Sequence, residues 1–436
     1  MFKKLSEMYG IAIISQSIEK GTKNMKTFDE LYKDLLARKI SKDEPLPADY
    51  DPYHLDCLLH PEKYAAVLHI DECQRCSYER ACQNSCIFDA IQWNEDGKLY
   101  INPDLCAGCE ACIEACKDGR LTASKDVLPA MKAVREAKGP AYMMVAPAFF
   151  GQFSANVTPG QLRTAFKALG FTGMVEVALF ADILTLKEAL EFDKHVQHTG
   201  DYQLTSCCCP VWISMIRKIY HELMPHVPGA VSPMVACGRM IKRIHPDAVT
   251  VFAGPCLAKK KEAREPDIAD AVDYVLTFQE LRDIFEAADI HPDELADMEK
   301  EHASKAGRLY ARTGGVSSAV SEMVDQLRPD REIYVRAEQA DGTKACMEMI
   351  RRIKTGKTDA NFFEGMGCVG GCVGGPKAIL NAEEGTKHVD TYAKNARFGT
   401  PLENPYVRKI LDELGLGTVE ELLTEDELLT RDFSEV

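Results

Sequence analysis

The placement of seventeen cysteines constrains this chain more than any other feature of its 436 residues. Eight lie between Cys73 and Cys116, three run consecutively at Cys207–Cys209, and Cys256, Cys368 and Cys372 follow. Cys57, Cys237 and Cys346 stand alone and read as small buried hydrophobes. No apolar run approaches the roughly 20 residues of a membrane span. Ile11–Ile14, behind the basic Met1-Phe2-Lys3-Lys4, is too short for a secretory core. A cytoplasmic, reducing setting is therefore expected, where clustered cysteines bind metal or do chemistry instead of pairing as disulfides. The net charge of −15 argues against a nucleic-acid partner, whose phosphates demand clustered Lys and Arg.

Cys106, Cys109, Cys112 and Cys116 have the spacing C-x2-C-x2-C-x3-C, the bacterial ferredoxin pattern for a 4Fe–4S cluster. Cys73, Cys76, Cys82 and Cys86 form a looser copy, C-x2-C-x5-C-x3-C. In two-cluster folds the fourth cysteine of each run serves the other cluster. The reading is therefore one cluster on Cys73, Cys76, Cys82 and Cys116, and its neighbour on Cys86, Cys106, Cys109 and Cys112. Structural zinc also uses C-x2-C pairs, but as two knuckles across a longer gap, not as three close cysteines plus a fourth. Ile87 and Lys117 stand where a Pro often follows the fourth cysteine.

The rest of the chain divides by texture. Residues 1–65 read as a helical and loop extension, with an amphipathic helix around Phe28–Leu36 and a Pro- and Asp-rich loop at Glu44–Tyr53. Residues 66–125 make the small α+β two-cluster unit, residues 126–400 a larger unit, and residues 401–436 an acidic helical tail. In the larger unit the pattern predicts strands at Tyr142–Val145, Met174–Leu179, Val249–Ala253 and Glu332–Val335. Helices are expected at Gln161–Leu169, Phe278–Ala287 and Ser317–Leu327. Such alternation implies an α/β domain of mostly parallel sheets with helices on both faces.

Three segments of this unit carry chemistry: Leu204-Thr205-Ser206-Cys207-Cys208-Cys209-Pro210-Val211-Trp212, Gly254-Pro255-Cys256-Leu257-Ala258-Lys259-Lys260-Lys261-Glu262, and Glu364-Gly365-Met366-Gly367-Cys368-Val369-Gly370-Gly371-Cys372-Val373-Gly374-Gly375-Pro376. Cys256 follows a predicted strand, where open α/β sheets place their ligands. The glycines allow close backbone approach to a cofactor. Lys259 is a strong donor beside a thiolate.

These segments resemble the three signature loops of the iron-only (FeFe) hydrogenases, over roughly Asp71 to Pro376. The resemblance implies an oxidoreductase that interconverts dihydrogen with protons and electrons. Its H-cluster would be a 4Fe–4S cube joined to a two-iron subcluster with carbon monoxide, cyanide and azadithiolate, and two further 4Fe–4S clusters would feed it. It implies Cys209, Cys256, Cys368 and Cys372 as ligands of the cube, with Cys372 also bridging to the subcluster. Cys208 would be the proton-carrying thiol and Lys259 a cyanide donor, with Met366 packed against the two irons. Ala146, Pro147, Ala148 and Pro255 would wall the pocket. Glu188 and Glu191 lie near where the family carries relay glutamates, whereas Pro228 falls where a relay Ser is expected. A ferredoxin or similar carrier and dedicated maturation enzymes are the implied partners. Cys207, Gly254 and Val369 depart from the commonest pattern and resemble the group B subgroup. The alternatives are a low-turnover dihydrogen sensor and an iron–sulfur assembly factor lacking the two-iron unit.

Overall fold

The structure is a computed structural model that describes residues 25–41, 45–73, 76, 79–95, 97–205, 208–298 and 300–433. Its strands are β1 (Val67–His69), β2 (Ile91–Trp93), β3 (Leu99–Ile101), β4 (Leu121–Ala123), β5 (Ala141–Val145), β6 (Gly173–Glu176), β7 (Gln203–Leu204), β8 (Val249–Gly254), β9 (Tyr274–Thr277), β10 (Ala337–Asp341) and β11 (Phe362–Met366). Two sheets are wholly parallel, with orders β6-β5-β8-β9 and β10-β11-β7. The larger unit is thus the expected α/β arrangement. β5 and β8 sit at the centre of the larger sheet and are almost continuously apolar, as strands covered on both faces must be. In the smaller unit β1 pairs with β4 and β2 with β3, both antiparallel, with short helices at Ala81–Asn84 and Ala111–Ala115.

Several helices start where local chemistry satisfies their first N–H groups. Thr158 with Gln161, and Thr277 with Glu280, form reciprocal caps on Pro159–Ala168 and Phe278–Ala287. Helix Ala178–His195 is different. Every residue from Ala178 to Phe192 is buried, so it threads the core and must satisfy its polar side chains internally. Helix Phe28–Ser41 buries Phe28, Leu31, Tyr32, Leu35 and Leu36 into the same core as β5 and β8, which makes this helix part of the larger body.

Four elements differ from the sequence reading. The predicted strand Met174–Leu179 stops at Glu176: Val177 makes one last bond to the Val145 carbonyl, and a helix begins at Ala178. No strand forms at Glu332–Val335. There Asn361 takes over the backbone, donating to the Tyr334 carbonyl and accepting from the Arg336 N–H, so pairing starts only at β10. The loop predicted through Tyr53 gives way to a helix at Pro52, whose first turn is capped by the Asp51 carboxylate accepting from the Tyr53 N–H. Glu44, at the start of that loop, lies outside the described residues. Among the described residues the tail is helical over Pro405–Glu413 and in short turns at Pro401–Glu403 and Glu420–Leu423. Its Leu422, Leu428 and Leu429 are buried in the main core.

Candidate metal centre

The three cysteine loops leave the carboxyl ends of three parallel strands. β7 runs into Cys208 and Cys209, β8 into Cys256, and β11 into Cys368 and Cys372. This is the edge at which parallel α/β sheets gather their functional groups. Cys209 precedes helix Pro210–Lys218, with Pro210 at its first position, and its sulfur accepts the Gly367 N–H at 3.2 Å. Gly371 has φ +84°, and a Cβ there would stand 2.7 Å from the Thr313 nitrogen. A Cβ on Gly375 would stand 2.7 Å from the Pro255 carbonyl oxygen. The glycine-rich loop therefore presses its bare backbone against the Cys256 loop.

Electrostatics tie the four sulfurs together. Burial pushes the thiols of Cys256 and Cys368 far up, and Cys209 and Cys372 push each of them further. Burial and Cys209 raise Cys372 to about 12, while Lys259 pulls it back. Lys259 is buried beside Cys256 and Cys372 and lies 2.6 Å from a Glu262 carboxylate oxygen. Burial and neighbouring sulfurs raise the thiols of Cys256, Cys368 and Cys372 together, a costly arrangement unless a metal replaces their protons. Among the described residues no three His, Cys, Asp or Glu groups are close enough to hold one metal ion. A single zinc, at about 2.3 Å per sulfur, is the wrong size, whereas a cube-shaped cluster spreads its ligands wider.

Cys208 retains some surface, yet burial dominates its pKa and drives it well up. Glu188, Cys209, Glu364 and Cys372 are the charges that add to the shift. Glu188 is the first of these charges. Glu191 is placed one turn further along the same helix and lies 3.5 Å from the half-exposed His195 imidazole. Met366 is buried at the end of β11, and its carbonyl accepts from the Gly342 N–H and from the thiol of Cys346, itself fully buried. Ala146, Pro147 and Ala148 lie at the end of β5, whose Ala146 N–H bonds the Ala253 carbonyl at the end of β8, and Pro255 is buried beside them. Glu364 was not singled out from the sequence. It is fully buried and accepts the N–H groups of Gly314 and Ser317, both at 2.8 Å, at the start of helix Gly315–Leu327. Its place in the quoted β11 segment was the available signal. Ser206 and Cys207 lie outside the described residues.

The thiols of the small unit segregate into two groups that cross between the cysteine runs. Cys73 is raised by Cys116 and Cys76, and Cys82 by Cys116, Cys76 and Cys73. Cys106 feels Cys86, while Cys109 and Cys112 feel Cys106 and Cys86. Backbone N–H groups of Arg80 and Ala90 donate to Cys76 and Cys86, and His69 Nε2 lies 3.2 Å from the Cys73 sulfur. Cys109 also raises Cys368, so the second group borders the main site.

Residues 140–376, or 237 of the 436, match the family described as iron only hydrogenase large subunit, C-terminal domain. The chain belongs to this family. Among curated relatives, iron hydrogenase 1 of Clostridium pasteurianum is 27% identical over 51% of this chain and 46% of its own length. The periplasmic [Fe] hydrogenase large subunit of Nitratidesulfovibrio vulgaris is 28% identical over 61% of this chain and 70% of its own. Cytosolic iron-sulfur assembly component 3 of Pongo abelii is 22% identical over 75% and 84%. The chain thus spans under half the length of the first of these. The solved [FeFe]-hydrogenase HydA1 of Chlamydomonas reinhardtii superposes with a TM-score of 0.57 at 21% identity, over 70% of this chain and 98% of that one. Its likeness shows a shared fold.

The residues present suit the family's iron cofactor. The thiols follow strand ends, the bare backbone of the glycine loop packs against the Cys256 loop where a Cβ would clash, and a buried ammonium stands beside Cys256 and Cys372. The fully buried Thr205 hydroxyl has no hydrogen-bond partner among the described residues. No helix among the described residues is long and apolar enough to cross a membrane.

Proposed function

We propose that this chain is a hydrogenase interconverting dihydrogen with protons and electrons. When bound, the iron cofactor supplies the site at which dihydrogen is split or formed. Cys209, Cys256, Cys368 and Cys372 would hold its cube, Cys372 would reach its two-iron half, and Lys259 would donate to an anionic ligand of that half. Met366, Pro255 and Ala146–Ala148 would exclude water around it. The two crossed thiol sets would hold two 4Fe–4S clusters and bring electrons from a ferredoxin-like carrier in a reducing, cytoplasmic compartment. The reading includes maturation by dedicated enzymes and membership of the group B subgroup.

One observation carries this reading: Cys208 is a fifth thiol, not needed for four-cysteine ligation, and the buried carboxylate of Glu188 is first among the charges acting on it. Such a pair can hold and pass a proton at the Cys208 sulfur, with Glu188, Glu191 and His195 leading along one helix toward water. The similarity to an iron–sulfur assembly protein supports a second reading, in which the cube alone is held and no gas chemistry occurs. A sensor of dihydrogen is a third. An infrared spectrum of the matured protein separates the second, which lacks carbonyl and cyanide bands. Turnover with a strong reductant separates the third. Cys208→Ala should keep the bands and lose at least about 100-fold in turnover, the scale of positioned proton transfer. Full turnover in that variant overturns the role given to Cys208.

A further inference from the structure

The second accessory thiol group and the main site are joined by an ion pair that ligation does not require. Glu110 lies between Cys109 and Cys112, and its carboxylate stands 2.7 Å from the Lys377 ammonium. Lys377 directly follows the glycine-rich loop that carries Cys372. The Glu110 side chain is 4% exposed and that of Lys377 16%. Its second carboxylate oxygen is buried without a partner among the described residues.

Burying this pair is expensive, since two ions leave water for one mutual attraction. The backbone adds to the cost. Glu110 has φ +66°, in the left-handed region, where a side chain is strained and glycine is not. Glycine would sit there without that penalty, so the side chain has a use. The surroundings show what is held. The Lys377 N–H donates to the Pro255 carbonyl at 3.0 Å, next to Cys256. A Cβ on Gly108 would stand 2.9 Å from the Ala258 Cα, two residues beyond Cys256. The loop from Cys106 to Cys112 is therefore pinned to the Cys256 loop by close backbone packing and to the Cys372 loop by the ion pair.

We propose that Glu110 and Lys377 form a charge-balanced latch that fixes the Cys86, Cys106, Cys109 and Cys112 centre against the four-thiol site and sets its reduction potential. The inference rests on the reading that this set holds a 4Fe–4S cluster, whose potential follows the net charge around it. Both residues are positioning residues: neither touches the reacting atoms. Removing the carboxylate leaves an uncompensated ammonium, which favours the more negative, reduced cluster.

The test uses the full chain, reconstituted anaerobically with ferrous iron and sulfide, and needs no two-iron unit. Iron and sulfide content is measured first. A redox titration then follows the cluster resonance that Cys112→Ser removes. Glu110→Gln should keep the iron and shift that potential upward. Glu110→Gln combined with Lys377→Gln, which removes both charges, should return it toward the wild-type value. Equal potentials in all three proteins overturn the latch while leaving the cluster reading intact. Iron lost from the single variant and not restored in the double reduces the pair to a structural contact and also overturns it. A wild-type chain that takes up no iron on this set overturns the cluster reading and the latch with it.

Discussion

Buried ionisable side chains cluster along the central helix, and their environments push them in opposite directions. Asp182 is fully buried and accepts from the Ser304 N–H and hydroxyl, the Gly307 N–H and the Asn404 amide, yet burial still lifts its carboxyl to about 6 from 3.8. His302, two residues before Ser304, is lowered by burial, then by Arg163 and Lys300, to about 4 from 6.5. Between pH 3.8 and 6 the native Asp182 binds more proton than the unfolded one, so by itself it stabilises the fold as pH falls through 6. His302 acts in reverse: its native form binds less proton, and stability drains as pH falls from 6.5 toward 4. The two slopes oppose each other in the wild-type chain. Asp182→Asn should therefore lose stability on acidification more steeply than wild type, and His302→Leu less steeply. Denaturant unfolding at stepped pH reads both, and equal slopes in all three proteins would refute the assignment. Glu364 offers a second check at this scale. Its two backbone donors would be orphaned at about 1–3 kcal/mol each, so Glu364→Ala should lower the unfolding free energy and Glu364→Gln should lower it less.

At the level of elements, legibility followed the range of the interactions that decide each one. Helix Phe278–Ala287 was read with its observed bounds because its cap and apolar stripe are local. The strand at Met174 was read three residues too long, because an apolar run does not say where a ladder ends and a buried helix begins. Asn361 dissolved the strand expected at Glu332–Val335 from outside that segment. The tail was the least legible. Its role depends on Lys187, 1% exposed, whose ammonium donates to the Leu422 carbonyl at 2.7 Å and the Thr430 hydroxyl at 3.2 Å. A periodicity reading cannot see a partner more than two hundred residues away. Deleting residues 419–436 should strand that ammonium in the core, a loss on the order of 3–5 kcal/mol. Lys187→Met in the shortened chain should recover part of it in thermal unfolding. No recovery would mean that the tail matters only through its buried leucines.

Over the whole molecule, the sequence disclosed the chemistry more fully than the architecture. Cysteine spacing and the strand-to-loop order brought out the three loops of the matched family, because such motifs are written into short segments. It did not disclose that the three loops come from two separate parallel sheets, nor that the N-terminal helix and the tail share one core with them. The crossed grouping of the accessory thiols is the molecular-scale claim that iron counting can test. If Cys86 belongs with Cys106, then Cys86→Ser and Cys106→Ser together damage one centre, and the chain should lose about four irons at most. Cys82→Ser with Cys106→Ser strikes both centres and should lose about eight. Grouping by sequence run predicts instead equal losses of about eight irons from both pairs, because Cys86 would then share a centre with Cys82. A loss from the Cys86 and Cys106 pair as large as that from the Cys82 and Cys106 pair, with an unchanged fold by circular dichroism, would therefore refute the crossing.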